Sequence, residues 1–296
     1  MFTEDDILRW LRSEGDEKAA LFENSARIKK QVLGNRVYLR GLVEFSNYCS
    51  KDCLYCGIRK SNRNVSRFKL SDEEILSAVR FAYENRYGSV VLQSGEISGR
   101  KNTLRISRLL DSIMQMTEGN IRVTLSCGEQ DEKTYREWFE KGASRYLLRI
   151  ETSNPDLYTK LHPNNAQHSF QKRLECLQML KSAGYQVGTG VMIGLPFQEL
   201  SDLAHDLLWM QEFGIDMAGM GPYLEHSGTP IYQFRDQLLP KETRFELSLK
   251  MIAILRIMMP EINIAASTAM QSIDKMGREK AIQAGANVFM PNITPG

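Results

Sequence analysis

Apolar positions along the chain follow two alternating rhythms. Stretches with apolar residues three and four apart give way to short runs rich in Val, Ile, Leu and Tyr, often with a glycine at the change. The segments "YENRYGSVVLQ" (Gly88), "FEKGASRYLLR" (Gly142), "KSAGYQVGTGVM" (Gly184), "QEFGIDMAGM" (Gly214) and "IQAGANVFM" (Gly285) all read this way. A glycine just past a helix accepts the left-handed backbone that ends it. Strands fit eight places, near 37–44, 89–93, 121–126, 145–150, 186–192, 216–220, 263–267 and 287–290. Helices fit between them. "LSDEEILSAVRFAYEN" opens on Ser71 and Glu74, a capping pair, and "PKETRFELSLKMIAILRIMM" is apolar at helical spacing. Residues 3–32 read as two amphipathic helices with Thr3 as a cap.

Strands alternating with helices imply βαβ units and a parallel sheet. Eight of them predict an α/β protein with a (β/α)8 TIM barrel over 35–296, preceded by an N-terminal helical extension over 1–34. The chain ends six residues beyond the last of these strands, so the final helix of a full barrel is missing from it. A doubly wound sheet is the rival. "GTGVMIG" (188–194) resembles a dinucleotide fingerprint, but it lies far from the first strand and its spacing is G-x-G-x-x-x-G. Glycines at a barrel strand end, where a ligand approaches the backbone, suit it better.

The length of 296 residues suits one such barrel, and 42% hydrophobic with 25% charged residues is ordinary for a globular protein. A net charge of +2 argues against a dedicated nucleic-acid binder. The N-terminal "MFTEDDILRW" is acidic and unlike a signal peptide, and "MIAILRIMM" is too short for a membrane span and broken by Arg256. The expectation is a cytoplasmic protein.

Five cysteines are present, three of them crowded into "NYCSKDCLYCG" as Cys49, Cys53 and Cys56. They are too close together to staple a fold. Following the first strand, they sit at the C-terminal mouth, where barrel active sites lie. Three thiolates hold three irons of a 4Fe–4S cube and leave the fourth open. A zinc site completed by a histidine is the alternative, but none of the four histidines (His162, His168, His205, His226) has finger-like spacing to the loop. Cys176 reads as a buried small hydrophobe, and Cys127, at a strand end, either packs in the core or faces a cavity, packing being the preferred reading.

Other polar residues cluster at strand ends. Glu96 after the second strand is either a loop acid or a partner for a cation. Arg149 and Glu151 alternate along the fourth strand and so share a face, either as an internal ion pair or as walls of a polar cavity. Gln93, Thr124, Ser126, Ser267 and Thr268 are individually strand or cap residues, and together they make a polar lumen. Met192 and Met217 read as packing, and His226 belongs to a loop above the barrel.

C-x3-C-x2-C with Tyr55 before the last cysteine resembles the radical S-adenosylmethionine (SAM) superfamily. "VEFSNYCSKDCLYCGIR", "VVLQSGE", "RYLLRIETSNPDLYTKLHP", "GVMIGLPFQ", "GPYLEHSGTP" and "GANVFMPNITP" are together similar to the HydE family of FeFe-hydrogenase maturases, from about Gly34 onward. Biotin synthase and methylornithine synthase share the branch. The resemblance implies a 4Fe–4S cluster on Cys49, Cys53 and Cys56, whose open iron takes the amino and carboxylate groups of SAM. It implies reductive cleavage of SAM to methionine and a 5′-deoxyadenosyl radical. Tyr55, Ser94, Glu96, Glu151, Arg173 and Met217 would then contact SAM, with Arg173 on its carboxylate. Gln93, Thr124, Ser126, Arg149, Ser267 and Thr268 would line the substrate cavity, Arg149 offset by an anionic guest because SAM occupies Glu151. A small sulfur- or iron-bearing precursor would be the substrate, with sister maturases and a scaffold as partners. The C-terminal region in which some family members carry a second cluster is not matched. A mutase like methylornithine synthase, a sulfur inserter like biotin synthase, or an iron–sulfur carrier are the rival functions.

Overall fold

The computed structural model describes residues 2–296. Nine strands are present: β1 (Tyr38–Ser46), β2 (Ser89–Ser94), β3 (Arg122–Ser126), β4 (Ala143–Leu147), β5 (Gln186–Thr189), β6 (Met192–Ile193), β7 (Met217–Pro222), β8 (Asn263–Ala266) and β9 (Val288–Phe289). They pair in parallel from β1 through β5, and β1 continues on its other side through β9 and β8 to β7. A β5–β7 pairing, Gly188 with Met217 and Thr189 with Ala218, closes the sheet into an eight-stranded barrel. β6 is a two-residue continuation beyond β5 that also lies on β7. At Gly190, between β5 and β6, the chain passes close to β7. A side chain at Gly190 would begin 2.0 Å from the Gly219 carbonyl oxygen, so the backbones approach too closely there for regular pairing with a larger residue.

Seven of the eight expected places hold a strand as expected, the fifth of them split into β5 and β6. The fourth differs: β4 stops at Leu147, and 148–151 follow an irregular path in which Glu151 has φ 67°. The expected glycine stops hold at Gly142, Gly184, Gly214 and Gly285, all with positive φ. At the second strand the left-handed residue is Arg86 (φ 58°) rather than Gly88, so that expectation is corrected.

Helices cover the outside. Ser71 caps the helix Asp72–Glu84 with the reciprocal Glu74 contact read from the sequence, and Thr3 caps Glu4–Arg12 with Asp6 in the same way. The two N-terminal helices, Glu4–Arg12 and Gly15–Leu33, pack on the barrel helices Leu200–Phe213 and Lys241–Met258, with Ile7, Leu11 and Leu21 in the main core. Lys250 locks them there by donating to the Leu11 and Ser13 carbonyls at 3.1 and 2.7 Å. Arg256, which interrupts the apolar run, is fully buried and donates to the carbonyls of Gly285 (2.9 Å) and Ile262 (2.7 Å) and to Asn287 Oδ1 (3.0 Å). Among the described residues no helix is long and apolar enough to cross a membrane.

Candidate functional site

The cysteine loop leaves β1 and crosses the C-terminal mouth of the barrel without regular structure, so side chains must hold it. Arg67 does most of this: its guanidinium donates to the carbonyls of Asn47 (2.6 Å), Ile58 (2.8 Å), Arg59 (2.7 Å) and Asn62 (3.3 Å). Asp52 accepts from Ser61 N and Oγ at 3.0 and 2.7 Å and pairs with Arg59 at 2.8 Å. Leu54 and Tyr55 pack on a separate apolar cluster of Leu157, Leu161, Leu195, Tyr223 and Ile231. Cys49, Cys53 and Cys56 are half-buried and free of disulfides on this loop. Cys127 and Cys176 are fully buried in the core, as their sequence contexts imply.

The end of β2 presses against the loop. A side chain at Gly95 would start 2.3 Å from the Tyr48 carbonyl oxygen and 2.9 Å from Cys49 Cβ, which is why glycine stands there. The following amide, Glu96 N, donates to Cys49 Sγ at 3.3 Å. Burial pushes the Cys53 thiol up to about 12 and Cys56 to about 11. A nucleophilic cysteine needs the opposite shift, whereas a coordinated metal removes the thiol proton outright. Among the described residues no three His, Cys, Asp or Glu side chains gather as a single metal ion requires. Zinc needs such convergence, with Zn–S bonds of about 2.3 Å. A 4Fe–4S cube does not, because each cysteine takes its own iron. The donor set fits three-cysteine ligation of a cluster.

Behind the loop lies a buried charge network. Lys51 bonds Glu129 at 2.8 Å and Glu96 at 3.1 Å, and Arg173 bonds Glu129 at 2.6 Å, with Glu96 3.9 Å away. Arg173 also donates to the Arg149 carbonyl at 2.5 Å. Two cations and two carboxylates balance, as burial demands. Burial raises the Glu129 carboxyl, but Arg173 and Lys51 outweigh it and hold it below the usual range; burial leaves Glu96 raised. Glu96 itself lies over Gly128 (φ 73°), where a Cβ would come within 2.2 Å of its Cγ. The sequence reading found Glu96 and Arg173 but missed Lys51 and Glu129. Lys51, between two cysteines, reads as a loop lysine, and "CGEQ" at a strand end gives Glu129 the same signal as Glu96.

Tyr55 places its hydroxyl 3.4 Å from His162 Nε2, while His162 Nδ1 sits 2.8 Å from the Tyr158 carbonyl. Burial pushes His162 down to about 3, so it is neutral and Nε2 is an acceptor. His168 Nε2 accepts the Asp52 amide at 2.8 Å. His226 lies against Gly57, beside Cys56, and its Nδ1 accepts from Gly228 N at 2.9 Å.

Two expectations change. Arg149 is not an unmatched cation: Nε and Nη2 donate to Glu151 Oε1 and Oε2 at 2.8 and 2.9 Å, and Nη1 donates to the Gly219 carbonyl at 2.5 Å. The left-handed turn at Glu151 folds the two side chains together instead of setting them side by side on a strand. Met217 is not beside the cysteine loop. It opens β7, pairs with Gly188 and Asn263, and lies deep in the lumen with its Sδ 3.0 Å from Arg40 Nη1.

The remaining expected residues divide. Thr124 shares a lumen cavity of about 30 Å³ with Met217, and its buried hydroxyl has no hydrogen-bond partner among the described residues. Gln93 Nε2 reaches Glu44 at 3.4 Å, and Ser126 pairs with Gln93 in the β2–β3 register. Ser94 Oγ donates to the Gly95 carbonyl at 2.8 Å. Ser267 caps Thr268–Ile273, and the exposed Thr268 accepts from Arg278 at 3.1 Å.

Comparison with known proteins places this geometry in context. The profile of the Radical SAM superfamily matches residues 43–210. The [FeFe] hydrogenase maturase subunit HydE of Thermotoga maritima is 44% identical over 276 residues, covering 93% of this chain and 76% of that protein. A 3-methylornithine synthase of Methanosarcina acetivorans is 28% identical, covering 97% and 78%. Among solved structures, methylornithine synthase superposes with a TM-score of 0.84 at 26% identity over 97% of this chain and 82% of that one. The maturase HydG gives 0.82 at 23% identity, spanning 98% of this chain but 64% of that one, a likeness of fold.

Proposed function

This chain belongs to the radical SAM superfamily, and we propose that it acts as a maturase of the HydE type in assembly of the FeFe-hydrogenase cofactor. It is an enzyme whose cofactors are a 4Fe–4S cluster and SAM. When bound, the cluster supplies the electron that breaks the sulfonium C–S bond of SAM, yielding methionine and a 5′-deoxyadenosyl radical. Cys49, Cys53 and Cys56 hold the cluster. The Glu96 amide donates to Cys49 Sγ and so stabilises that ligand's negative charge.

Glu96 is the carboxylate with spare capacity for the SAM ammonium, because Lys51 lies closer to Glu129 than to it. Arg173 presents its guanidinium on the same network and suits a carboxylate. Glu151, steered by Arg149, Tyr55 and Ser94 complete the SAM side. The substrate side is the lumen of Thr124, Gln93, Ser126 and Met217, with Ser267 and Thr268 at the rim. The cavity of about 30 Å³ beside the unpaired Thr124 hydroxyl has room for about one water, so the guest itself lies nearer the mouth, toward Gln93 and Ser126. A small sulfur- or iron-bearing precursor is the proposed guest, with sister maturases and the hydrogenase scaffold as partners.

The observation that carries the reading is the junction of the three-cysteine loop with the Lys51–Glu96–Glu129–Arg173 network at one barrel mouth. A bare iron–sulfur carrier has no use for that network. The test is anaerobic reconstitution with reductant and SAM, product analysis, and complementation of a strain lacking its HydE. Release of 5′-deoxyadenosine with restored hydrogenase activity is expected. Turnover of a bare amino acid without complementation would favour the methylornithine-synthase rival.

A further inference from the structure

The opposite, N-terminal end of the barrel carries a second concentration of charge. A hollow of about 720 Å³ there is lined by Arg40, Arg86, Arg122 and Arg145, with Glu261 as its only acid, so its lining sums to +3 (four guanidiniums less one carboxylate). None of the four arginines has an acidic partner within 4.0 Å among the described residues. Among the described residues the side chains of Arg86 and Arg122 find no hydrogen-bond partner, and Arg145 reaches only the neutral Gln186, at 2.8 Å. Arg40 is 94% buried at the floor, and among the described residues the only side-chain hydrogen-bond partner of its guanidinium is the thioether of Met217.

This end of a TIM barrel ordinarily serves stability, yet the arrangement works against stability. Burial and then Arg145 push Arg40 down to about 10, and burial and then Arg122 push Arg145 down, so the cations repel along the row Arg40–Arg145–Arg122. Guanidiniums present planar forks suited to carboxylate and phosphate oxygens. Leu33, Val37 and Leu39 give the hollow an apolar side, and Ser89 and Asn263 add neutral polar groups.

We propose that this hollow is a binding site for a small polyanion, a molecule bearing two or more carboxylate or phosphate groups on a short carbon skeleton. Arg40, Arg145 and Arg122 take the anionic groups, Arg86 closes the rim, and the apolar wall takes the skeleton. The volume lies within the range for small-molecule sites, and the buried floor at Arg40 is within reach of such a ligand. Arg40 and Asn263 also border the lumen cavity, so the occupant would lie against the far wall of the substrate chamber.

Citrate and pyrophosphate serve as probes, measured by calorimetry and thermal shift on the full chain at ionic strength matched with chloride. Binding of at least one probe in the sub-millimolar range is expected, weakened 10-fold or more in Arg122→Gln/Arg145→Gln. That variant without ligand should melt no lower than the parent, because it removes repulsion; Arg86→Gln, an exposed single change, should weaken binding several-fold. Saturating S-adenosylhomocysteine should leave probe affinity unchanged. Neither probe binding beyond the chloride control, affinity insensitive to these arginines, or loss of binding to S-adenosylhomocysteine would each overturn the proposal.

Discussion

Arg149 grips Glu151 through two parallel hydrogen bonds, 2.8 and 2.9 Å long, across a backbone turn in which Glu151 takes a left-handed conformation. The pair sits where the fourth barrel strand has already ended, so the fork of one side chain, and not the sheet, aims the carboxylate.

It follows that Arg149→Ala will disturb SAM binding as well as substrate handling. Loss of a charged hydrogen-bond partner costs about 1.5–3 kcal/mol, or roughly 10- to 100-fold in affinity. Glu151→Ala and Arg149→Ala should each weaken SAM in equilibrium dialysis of the reconstituted protein, and the double variant should lose less than their sum. Additive losses would show that the two act independently.

Replacement of Cys53 with Ala should abolish SAM cleavage. Iron and sulfide content after anaerobic reconstitution, with 5′-deoxyadenosine by chromatography, provides the check. Wild-type 5′-deoxyadenosine formation by Cys53→Ala is incompatible with the assigned ligand set.

Glu129 accepts from both Lys51 and Arg173, so Glu129→Gln leaves two buried cations to share Glu96. Breaking a buried pair by removing one partner typically costs about 3–5 kcal/mol; a neutral amide that still accepts one bond should bring this to about 2–3 kcal/mol. Denaturant unfolding of the apo protein measures it. Adding Lys51→Met to Glu129→Gln should recover part of the loss by restoring charge balance.

Asp206 supplies a pH test far from the cysteines. One oxygen accepts from Ser153 N and Oγ at 2.5 and 2.7 Å, while the other is buried without a partner among the described residues. Burial pushes this carboxyl up to about 7 from an ordinary 3.8. The folded state therefore holds a proton that the unfolded state has released, so its stabilisation is full below about 3.8 and is lost as pH rises through about 7. Asp206→Asn should flatten the fall in unfolding free energy across that window, by up to about 1.4 kcal/mol per pH unit. An unchanged slope would place the proton elsewhere.

The barrel was legible because alternating helical and strand rhythms, capped by Ser71 and stopped at glycines, are local signals. The cysteine triplet was legible because spacing alone limits what three thiols can bind. Lys51 and Glu129 were not, since pairing between a loop lysine and an acid 78 residues away depends on the closed barrel. The Arg149–Glu151 geometry also escaped sequence: strand alternation assumes a strand, and positive φ at a glutamate has no sequence mark. Met217 shows the converse limit. Its apolar character was read correctly, but the depth at which β7 presents it is set by the register with β5 and β8.

Arg67 ties together four carbonyls from both ends of the cysteine loop. None of these bonds involves a thiol, so they can shape the loop independently of iron, unlike zinc fingers, whose fold waits for the metal. Assembly can then proceed by delivery of iron and sulfide into a finished socket. In limited proteolysis the apo protein should be cut in this loop no faster than the loaded one, whereas Arg67→Met should open it to cleavage and slow cluster uptake.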